Sequence, residues 1–237
     1  MKLTSKELKR QARENLTGNY GLPMGAFLVT ELIIMAVNMP FNLSAQLNPN
    51  NTQLMISMLA SLIISLLSVV LSSGLLYIHL GLARKQEVKF ADLFYFFSHR
   101  PDRFILSTLL LVGIVFLLML PATVLTVFAI IADDSAWFIA MAVVWIFTLI
   151  LLIPFSYAIH LIYFLLIDQP DMKVSQVYAE SARLMKGNKW RAFYIGLSFF
   201  GMSLLSILSL GIGLLWVGPY MNQTTVEFYR NVIGEIE

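Results

Sequence analysis

The stretch from Leu54 to Leu82, LMISMLASLIISLLSVVLSSGLLYIHLGL, contains no Asp, Glu, Lys or Arg. A helix rises 1.5 Å per residue, so about 20 apolar residues cross the hydrocarbon core of a bilayer, which is about 30 Å thick. Four other stretches share this length and apolar character: Leu22–Pro40, Phe104–Ile131, Ala136–Ile167 and Arg191–Leu210. The pattern predicts an all-α fold, a polytopic transmembrane helix bundle that forms one integral membrane domain over residues 1–237.

The overall composition agrees with this prediction. Of the 237 residues, 58% are hydrophobic and 13% are charged, and the mean hydropathy is +0.77. Soluble domains carry about 25% charged residues because they need a wettable surface. The net charge of +2 is small and the basic residues are spread over three segments, so no nucleic-acid partner is predicted. The absence of cysteine excludes disulfides, thiolate metal sites and cysteine nucleophiles.

The distribution of lysine and arginine predicts the orientation in the membrane. Fifteen of the sixteen basic residues lie in three segments: residues 1–21, the segment between the second and third spans, and the segment between the fourth and fifth spans. The other two loops, Phe41–Gln53 and Ala132–Ser135, contain none, and the second of them carries Asp133 and Asp134. Basic segments resist translocation, so the N-terminus is predicted to lie in the cytoplasm.

Each predicted cytoplasmic segment contains a short amphipathic helix. The first begins with a capping box of Thr4 and Glu7 and ends at Gly18. The third ends at Gly187 and places five residues on one face: Val174, Val177, Tyr178, Ser181 and Met185. The middle segment, Phe90–Phe97, is shorter and aromatic. The recurrence indicates three repeated units, each an interfacial helix followed by two spans, or else the common requirements of basic helices beside a membrane.

A third unit requires a sixth span, which hydropathy alone does not indicate. After the break at Gly211-Ile212-Gly213, residues 214–233 mix apolar positions with polar ones, among them Asn222, Gln223, Thr224, Thr225 and Glu227. Such a helix crosses a bilayer only where other helices shield it. We predict six spans, which places the C-terminus in the cytoplasm together with Arg230. The alternative is five spans followed by an outer interfacial helix.

Three stretches of the sequence resemble one known family. They are Leu8–Gly21, Asp168–Arg191 and the C-terminal part from Gly211 through Pro219-Tyr220 to Phe228-Tyr229. Together they are similar to a family of integral membrane proteins from Gram-positive bacteria known as domain of unknown function 975. The resemblance implies a multi-pass protein of a bacterial cell membrane. It supplies no reaction, ligand or catalytic residue.

Two features inside the spans are candidates for a polar core. Glu31 lies about nine residues into the first span, roughly 13 Å deep, where an ionisable group is costly unless it is paired, hydrated or protonated. Five serines of the second span fall on one helix face: Ser57, Ser61, Ser65, Ser68 and Ser72. Small hydroxyl residues favour close helix packing, and the alternative is the polar lining of a pathway.

The polar residues of the predicted sixth helix extend this hypothesis. Asn222, Gln223, Thr225 and Glu227 have no favourable exit into lipid, so we expect them to face Glu31 and the serines in one polar chamber. For Glu31 alone, the simpler alternative is a neutral carboxyl group that is hydrogen-bonded within the bundle.

A cationic aromatic collar follows the third amphipathic helix: Lys186, Lys189, Trp190 and Arg191. Such a collar suits anionic lipid headgroups, and it also simply anchors the topology. His79, His99 and His160 are isolated in the sequence, and the chain lacks metal-ligand spacing, a phosphate-binding loop and a nucleophile elbow. No cofactor is predicted.

The sequence therefore predicts a class of protein more clearly than an activity. The leading hypothesis is a non-enzymatic membrane component that binds lipids, including anionic ones, or another membrane protein. The rival hypothesis is a small-solute or lipid transporter that uses a polar core around Glu31. An intramembrane lipid enzyme is the third, and it lacks a catalytic constellation.

Overall fold

The structure, a computed structural model, describes residues 2–47, 50–132 and 134–237 as an all-α bundle. The long helices are α2 (Gly21–Leu47), α3 (Asn51–Ala83), α5 (Pro101–Ala132), α6 (Ser135–Ala158) and α9 (Lys189–Leu208). The shorter elements are α1 (Ser5–Leu16), a 3-10 helix (Phe90–Phe94), α4 (Tyr95–Ser98), α7 (Ile162–Asp168), α8 (Val174–Met185) and α10 (Leu214–Val232).

Within the described residues, five helical stretches are long and apolar enough to cross a membrane: α2, α3, α5, α6 together with α7, and α9. They correspond to the five clear spans predicted from the sequence and indicate a membrane-spanning protein. The helix of the first span, α2, continues past Pro40, where the predicted span ends, to Leu47. Asp133, which the sequence places in the second loop without basic residues, lies outside the described residues.

The long helices have two zones of burial. Before Val70, α3 buries only Ser57 and Ile64, and this part is about 28 Å long, close to the thickness of a hydrocarbon core. From Val70 to Ala83 most side chains are buried by other parts of the protein. α6 buries Thr148 alone, whereas α7 buries most of its residues. The unusual length of these helices therefore has two parts, one facing lipid and one covered by protein.

The protein-covered parts form a compact region that we call the basal layer. It consists of α1, the 3-10 helix, α4, α7, α8 and α10, together with the ends of α3 and α5 that they cover, Val70–Ala83 and Pro101–Thr108. The largest cluster of buried hydrophobic side chains lies there, and it includes Leu8, Phe104, Leu165, Val177 and Phe228. The 3-10 helix folds back along α3, with the backbone of Leu93 against Gly74.

The amphipathic helices predicted for the first and third units are present and closely alike. α1 begins with the predicted capping box of Thr4 and Glu7. α1 buries Leu8, Ala12 and Leu16, and α8 buries Val177, Ser181 and Met185, at the same four-residue spacing. Each helix is followed by a glycine with positive φ, Gly18 at +82° and Gly187 at +77°. The order of one short element and two helices recurs three times, but the middle unit has a 3-10 helix in place of the amphipathic one.

The predicted sixth span is a helix that lies across the bundle. α10 contacts α2 at Phe27 through Gly218, α3 at His79 through Gln223, and the end of α7 at Asp168 through Tyr229. Neighbouring helices lie 8–10 Å apart, so α10 spans three of them within about 17 Å of its own length. All three contact points are near the same end of the bundle. α10 is not among the described helices that are long and apolar enough to cross a membrane, so a sixth crossing over residues 214–233 stays a prediction.

Candidate functional site

Glu31 lies apart from the other residues predicted for a polar core. Its side chain is exposed on α2. α10 reaches α2 at Phe27, one helical turn before Glu31, and crosses the bundle there instead of continuing along α2. Nothing in α10 therefore covers Glu31, and the predicted chamber that joins it to the polar residues of α10 is not formed.

The five serines of α3 do not line a common polar space. Ser57 is buried, Ser65 is exposed and the other three, Ser61, Ser68 and Ser72, are half-buried. Three hydroxyls donate to carbonyl oxygens one turn earlier in their own helix, at 2.7–3.0 Å: Ser57 to Leu54, Ser65 to Leu62 and Ser68 to Ile64. Such local bonds satisfy the hydroxyl without a partner on another helix. The arrangement fits the packing interpretation of the stripe.

The polar residues of α10 divide into two groups. Asn222 and Thr225 are half-buried, and the Thr225 hydroxyl donates to its own helix. Gln223 and Glu227 are completely buried and bind residues of other helices. These two side chains begin a chain of polar contacts that we call the basal network: His79, Gln223, Asn15, Glu227, Arg230, Glu235, Arg84, Asp168 and Tyr229.

The inner half of the basal network is uncharged except for Glu227. The Gln223 amide donates to the His79 carbonyl at 3.3 Å and to Glu227 at 3.4 Å, so its Oε1 faces His79 Nδ1 at 2.7 Å as an acceptor. Nδ1 therefore carries the ring hydrogen and Nε2 is left as an acceptor. Nε2 is buried and has no hydrogen-bond partner among the described residues. Asn15 of α1 donates to Glu227 at 2.7 Å.

The outer half of the network is a series of ion pairs that includes Glu235 of the C-terminal segment. Arg230 binds Glu227 at 2.9 Å and Glu235 at 2.6 Å. Arg84 donates to Glu235 and binds Asp168 through two parallel hydrogen bonds of 2.7 Å. Paired guanidinium–carboxylate bonds of this kind fix orientation as well as charge. The network thus ties together α1, α3, α7, α10 and the C-terminal segment.

The acid of the C-terminal segment should make stability depend on pH. Burial acts to raise the pKa of Glu235, but hydrogen bonds from Arg84 and Arg230 outweigh it and hold the pKa below its ordinary value. A lowered folded-state pKa contributes stability above the unfolded pKa of about 4.3, and this contribution is lost as pH falls through the folded value. We therefore expect Glu235→Gln to flatten the acid side of the stability profile, measured by unfolding in detergent between about pH 3 and pH 7.

The control for this measurement is Glu14→Gln. Glu14 is an exposed acid whose pair with Arg10 has an N–O distance of 3.7 Å, a kind of contact that contributes little to stability. Its profile should follow that of the unmodified protein. If the loss of stability at low pH were the same in Glu235→Gln and in the unmodified protein, this pH dependence would not come from Glu235.

The predicted collar is only partly available to lipid. Arg191 binds the Leu3 carbonyl and the Asn231 side chain, at 2.8 and 2.6 Å, so it joins the two ends of the chain. Lys189 donates to the Pro154 carbonyl at 3.0 Å. Lys186 and Trp190 remain exposed. Two of the four collar residues therefore have structural contacts, which the sequence did not indicate.

A half-open cavity of about 800 Å³ lies beside the basal network. One wall is the junction between α1 and α2, and the other is the end of α3 with the turn that follows it. Asn15, which binds Glu227, also lines this cavity, so the cavity and the network touch. Its charged lining residues are Glu14, Lys85, Glu87 and Lys89, and its apolar ones are Leu22, Leu82 and Val88. Both signs of charge and an apolar wall therefore meet in one space.

The comparison with protein families identifies the chain. The family described as "Protein of unknown function (DUF975)" matches residues 1–235. The chain belongs to the DUF975 family. No curated protein and no solved structure matches the DUF975 chain. Across the parts of the DUF975 chain that the structure describes, no three His, Asp or Glu side chains come together as a metal site.

Sequence reasoning missed most of the basal network of this DUF975 protein. His79 looked isolated because its partner Gln223 is 144 residues away. Arg84 belongs to one of the three basic segments that were used only for orientation, and Asp168 was quoted only as part of a family resemblance. Glu235 gave no signal at all. The one available hint was an acid, Asp168, placed at the end of a predicted span beside a predominantly basic segment.

Proposed function

We propose that this protein is a non-enzymatic membrane component that binds a phospholipid headgroup at its basal layer. The observation that carries the proposal is the cavity beside Asn15, which combines Lys85 and Lys89 with Glu14 and Glu87. Ammonium groups bind phosphate, and carboxylates bind an amine, so the lining favours a headgroup that carries both charges. Its apolar wall favours the first carbons of the attached lipid.

The position of the cavity supports a lipid ligand over a dissolved one. Leu22 and Leu82, which belong to the apolar wall, lie one residue from the ends of α2 and α3. These are the ends at which the lipid-facing helices enter the basal layer. A headgroup in the cavity therefore has a direct route for its acyl chains along exposed side chains of α2.

The transporter hypothesis has less support. A transport path needs polar groups along the whole crossing, or a cavity near its centre. The basal network lies at one end of the bundle, the serines of α3 bond to their own helix, and Glu31 is exposed. The lipid-facing parts of the described helices bury few side chains of any kind.

We further infer that the basal layer faces the cytoplasm of a bacterial cell, with both termini on that side. The support is the concentration of lysine and arginine in and around the basal layer, because such segments resist translocation. The contacts of Arg191 with Leu3 and Asn231 keep the N- and C-terminal segments together at that layer.

The proposal is tested by lipid binding to the delipidated protein in detergent, followed by native mass spectrometry. Phosphatidylethanolamine should bind more tightly than phosphatidylglycerol, which lacks the amine, and phosphatidylcholine, whose amine donates no hydrogen bond. Lys85→Ala with Lys89→Ala should weaken binding about tenfold, because two partly exposed charge contacts with phosphate are lost.

The matched control removes two lysines elsewhere, Lys173→Ala with Lys186→Ala, and should leave the affinity unchanged. Equal weakening in the two double variants would indicate general surface attraction and reject the cavity. Solute flux in proteoliposomes that disappears with Glu31→Gln would reject the proposed function in favour of transport.

A further inference from the structure

The first turn of α10 lies at the end of the bundle where α2 begins. The carbonyl oxygen of Trp216 accepts a hydrogen bond from the hydroxyl of Tyr20, the residue before α2. Gly218 packs directly on the ring of Phe27 in the second turn of α2. The start of α10 is therefore close to the basal layer, and so is its end, because Tyr229 binds Asp168.

The helix before it is consequently confined to the same side. α9 ends at Leu208, and a tight turn packs Gly213 against Ser206 before α10 begins. If α9 crossed the bilayer, this turn would lie about 30 Å from the basal layer. A turn of a few residues cannot cover that distance and still deliver Trp216 to Tyr20.

The middle of α9 also lies beside a polar helix. Lys9 of α1 donates to the carbonyl oxygen of Ser198 at 2.9 Å, and its ammonium lies 3.8 Å from the centroid of the Phe199 ring. The midpoint of a crossing helix is about 15 Å from either surface of the hydrocarbon core. α1 is strongly polar and carries five basic residues in or next to it, so its place is at the membrane surface.

α9 and the turn that follows it also have an exposed, apolar surface. Between Ala192 and Val226 the chain has no charged residue. The exposed side chains on α9 and its turn include Trp190, Tyr194, Phe200, Leu205, Leu208 and Leu210. A monomer rarely exposes an apolar surface of this kind to water. The aromatic residues at the start of α9, with Lys186 shortly before it, suit the headgroup level.

We propose that α9 and α10 form a re-entrant hairpin that enters only the leaflet next to the basal layer, with its exposed face against acyl chains. α2, α3, α5 and the α6–α7 stretch then make four crossings, and both termini stay on one side. The length and apolar character of α9 are those of a span, but its contacts place it obliquely in one leaflet. This inference does not depend on the headgroup site.

Cysteine labelling tests the hairpin, because the chain has no cysteine of its own. Thr52→Cys and Ser135→Cys mark the far ends of α3 and α6, and Leu210→Cys marks the turn, where the side chain is 94% exposed. A membrane-impermeant maleimide is applied to intact cells and, separately, to inside-out vesicles. The side that labels the first two variants should fail to label Leu210→Cys.

A nitroxide on the same cysteine shows whether this position lies in lipid or is covered by protein. In lipid it should be relaxed by oxygen and shielded from a water-soluble nickel complex, at a depth of less than half the hydrocarbon core. Labelling of Leu210→Cys from the far side would overturn the proposal. So would a nitroxide shielded from both relaxing agents, which would mean that protein, such as a second copy, covers the face. Ile212→Cys repeats the test at a second exposed position, since Leu210 has a φ of +55°.

Discussion

Replacing Glu227 by alanine is expected to lower the free energy of unfolding by about 3–5 kcal/mol, the cost of breaking a buried ion pair by removing one partner. Glu227 has no exposed surface. It accepts hydrogen bonds from Asn15 at 2.7 Å and Gln223 at 3.4 Å, and it pairs with Arg230 at 2.9 Å. The substitution removes the carboxylate that accepts from Asn15, and it takes one of two acceptors from the Gln223 amide and one of two carboxylate partners from the mostly buried Arg230. Titration of SDS into the protein in mild detergent measures the change.

Two further variants separate charge from shape at this position. Glu227→Gln keeps the carbonyl acceptor for Asn15 and loses the ion pair with Arg230. Its free energy of unfolding should therefore lie between those of Glu227→Ala and the unmodified protein. Glu14→Ala removes an acid whose side chain is 64% exposed and whose ion pair with Arg10 measures 3.7 Å, and it should change stability by less than about 0.5 kcal/mol. Equal stability of Glu227→Ala and Glu14→Ala would contradict a structural role for the basal network.

Local sequence signals predicted the short helices because their causes are local. The capping box of Thr4 and Glu7 and the positive φ of Gly18 and Gly187 each depend on a few neighbouring residues. The five apolar stretches were predictable for the same reason, since hydropathy is a property of each stretch itself. These signals fixed the fold class and most helix positions.

Hydropathy could not distinguish the two ways of burying an apolar helix. Residues of α3 before Val70 face outward, and those after it are covered by protein, yet both parts are equally apolar. The sixth crossing over residues 214–233 was predicted from the recurrence of the units, because hydropathy alone does not indicate it. The polar face of α10 is satisfied by His79 and Asn15, at sequence separations of 144 and 212 residues, and no local pattern reports such pairs.

For Glu31, the sequence predicted the depth along the helix but not whether another helix covers the side chain. Its depth along α2 was predicted from spacing, and depth made it a candidate for a polar core. Whether another helix faces a residue depends on how the helices cross, which is a property of the packed bundle. Asp168 and Glu235, at the edge of the basal layer, both pair with Arg84.

The close approach of α3 to the 3-10 helix gives the second large prediction. A methyl group built on Gly74 would lie 1.9 Å from the carbonyl oxygen of Leu93 and 2.6 Å from its carbonyl carbon. Both are backbone atoms, so a side-chain rotation cannot relieve the clash, and the two elements must separate. Gly74→Ala should therefore destabilise the protein by about 3 kcal/mol, the upper part of the range for overpacking a core, as measured by SDS unfolding.

The control substitution has the opposite expected sign. Gly113 lies inside α5, and nothing comes within 4 Å of a methyl group built there. Gly113→Ala should stabilise the protein by about 0.5–1 kcal/mol, because alanine loses less backbone entropy in a helix. The separation of α3 and the 3-10 helix also exposes Leu93, which is fully buried, so Gly74→Ala should speed proteolysis within residues 86–98. If both alanine variants stabilised the protein, the 3-10 helix would not pack on Gly74, and the basal layer would lose the element that covers this part of α3.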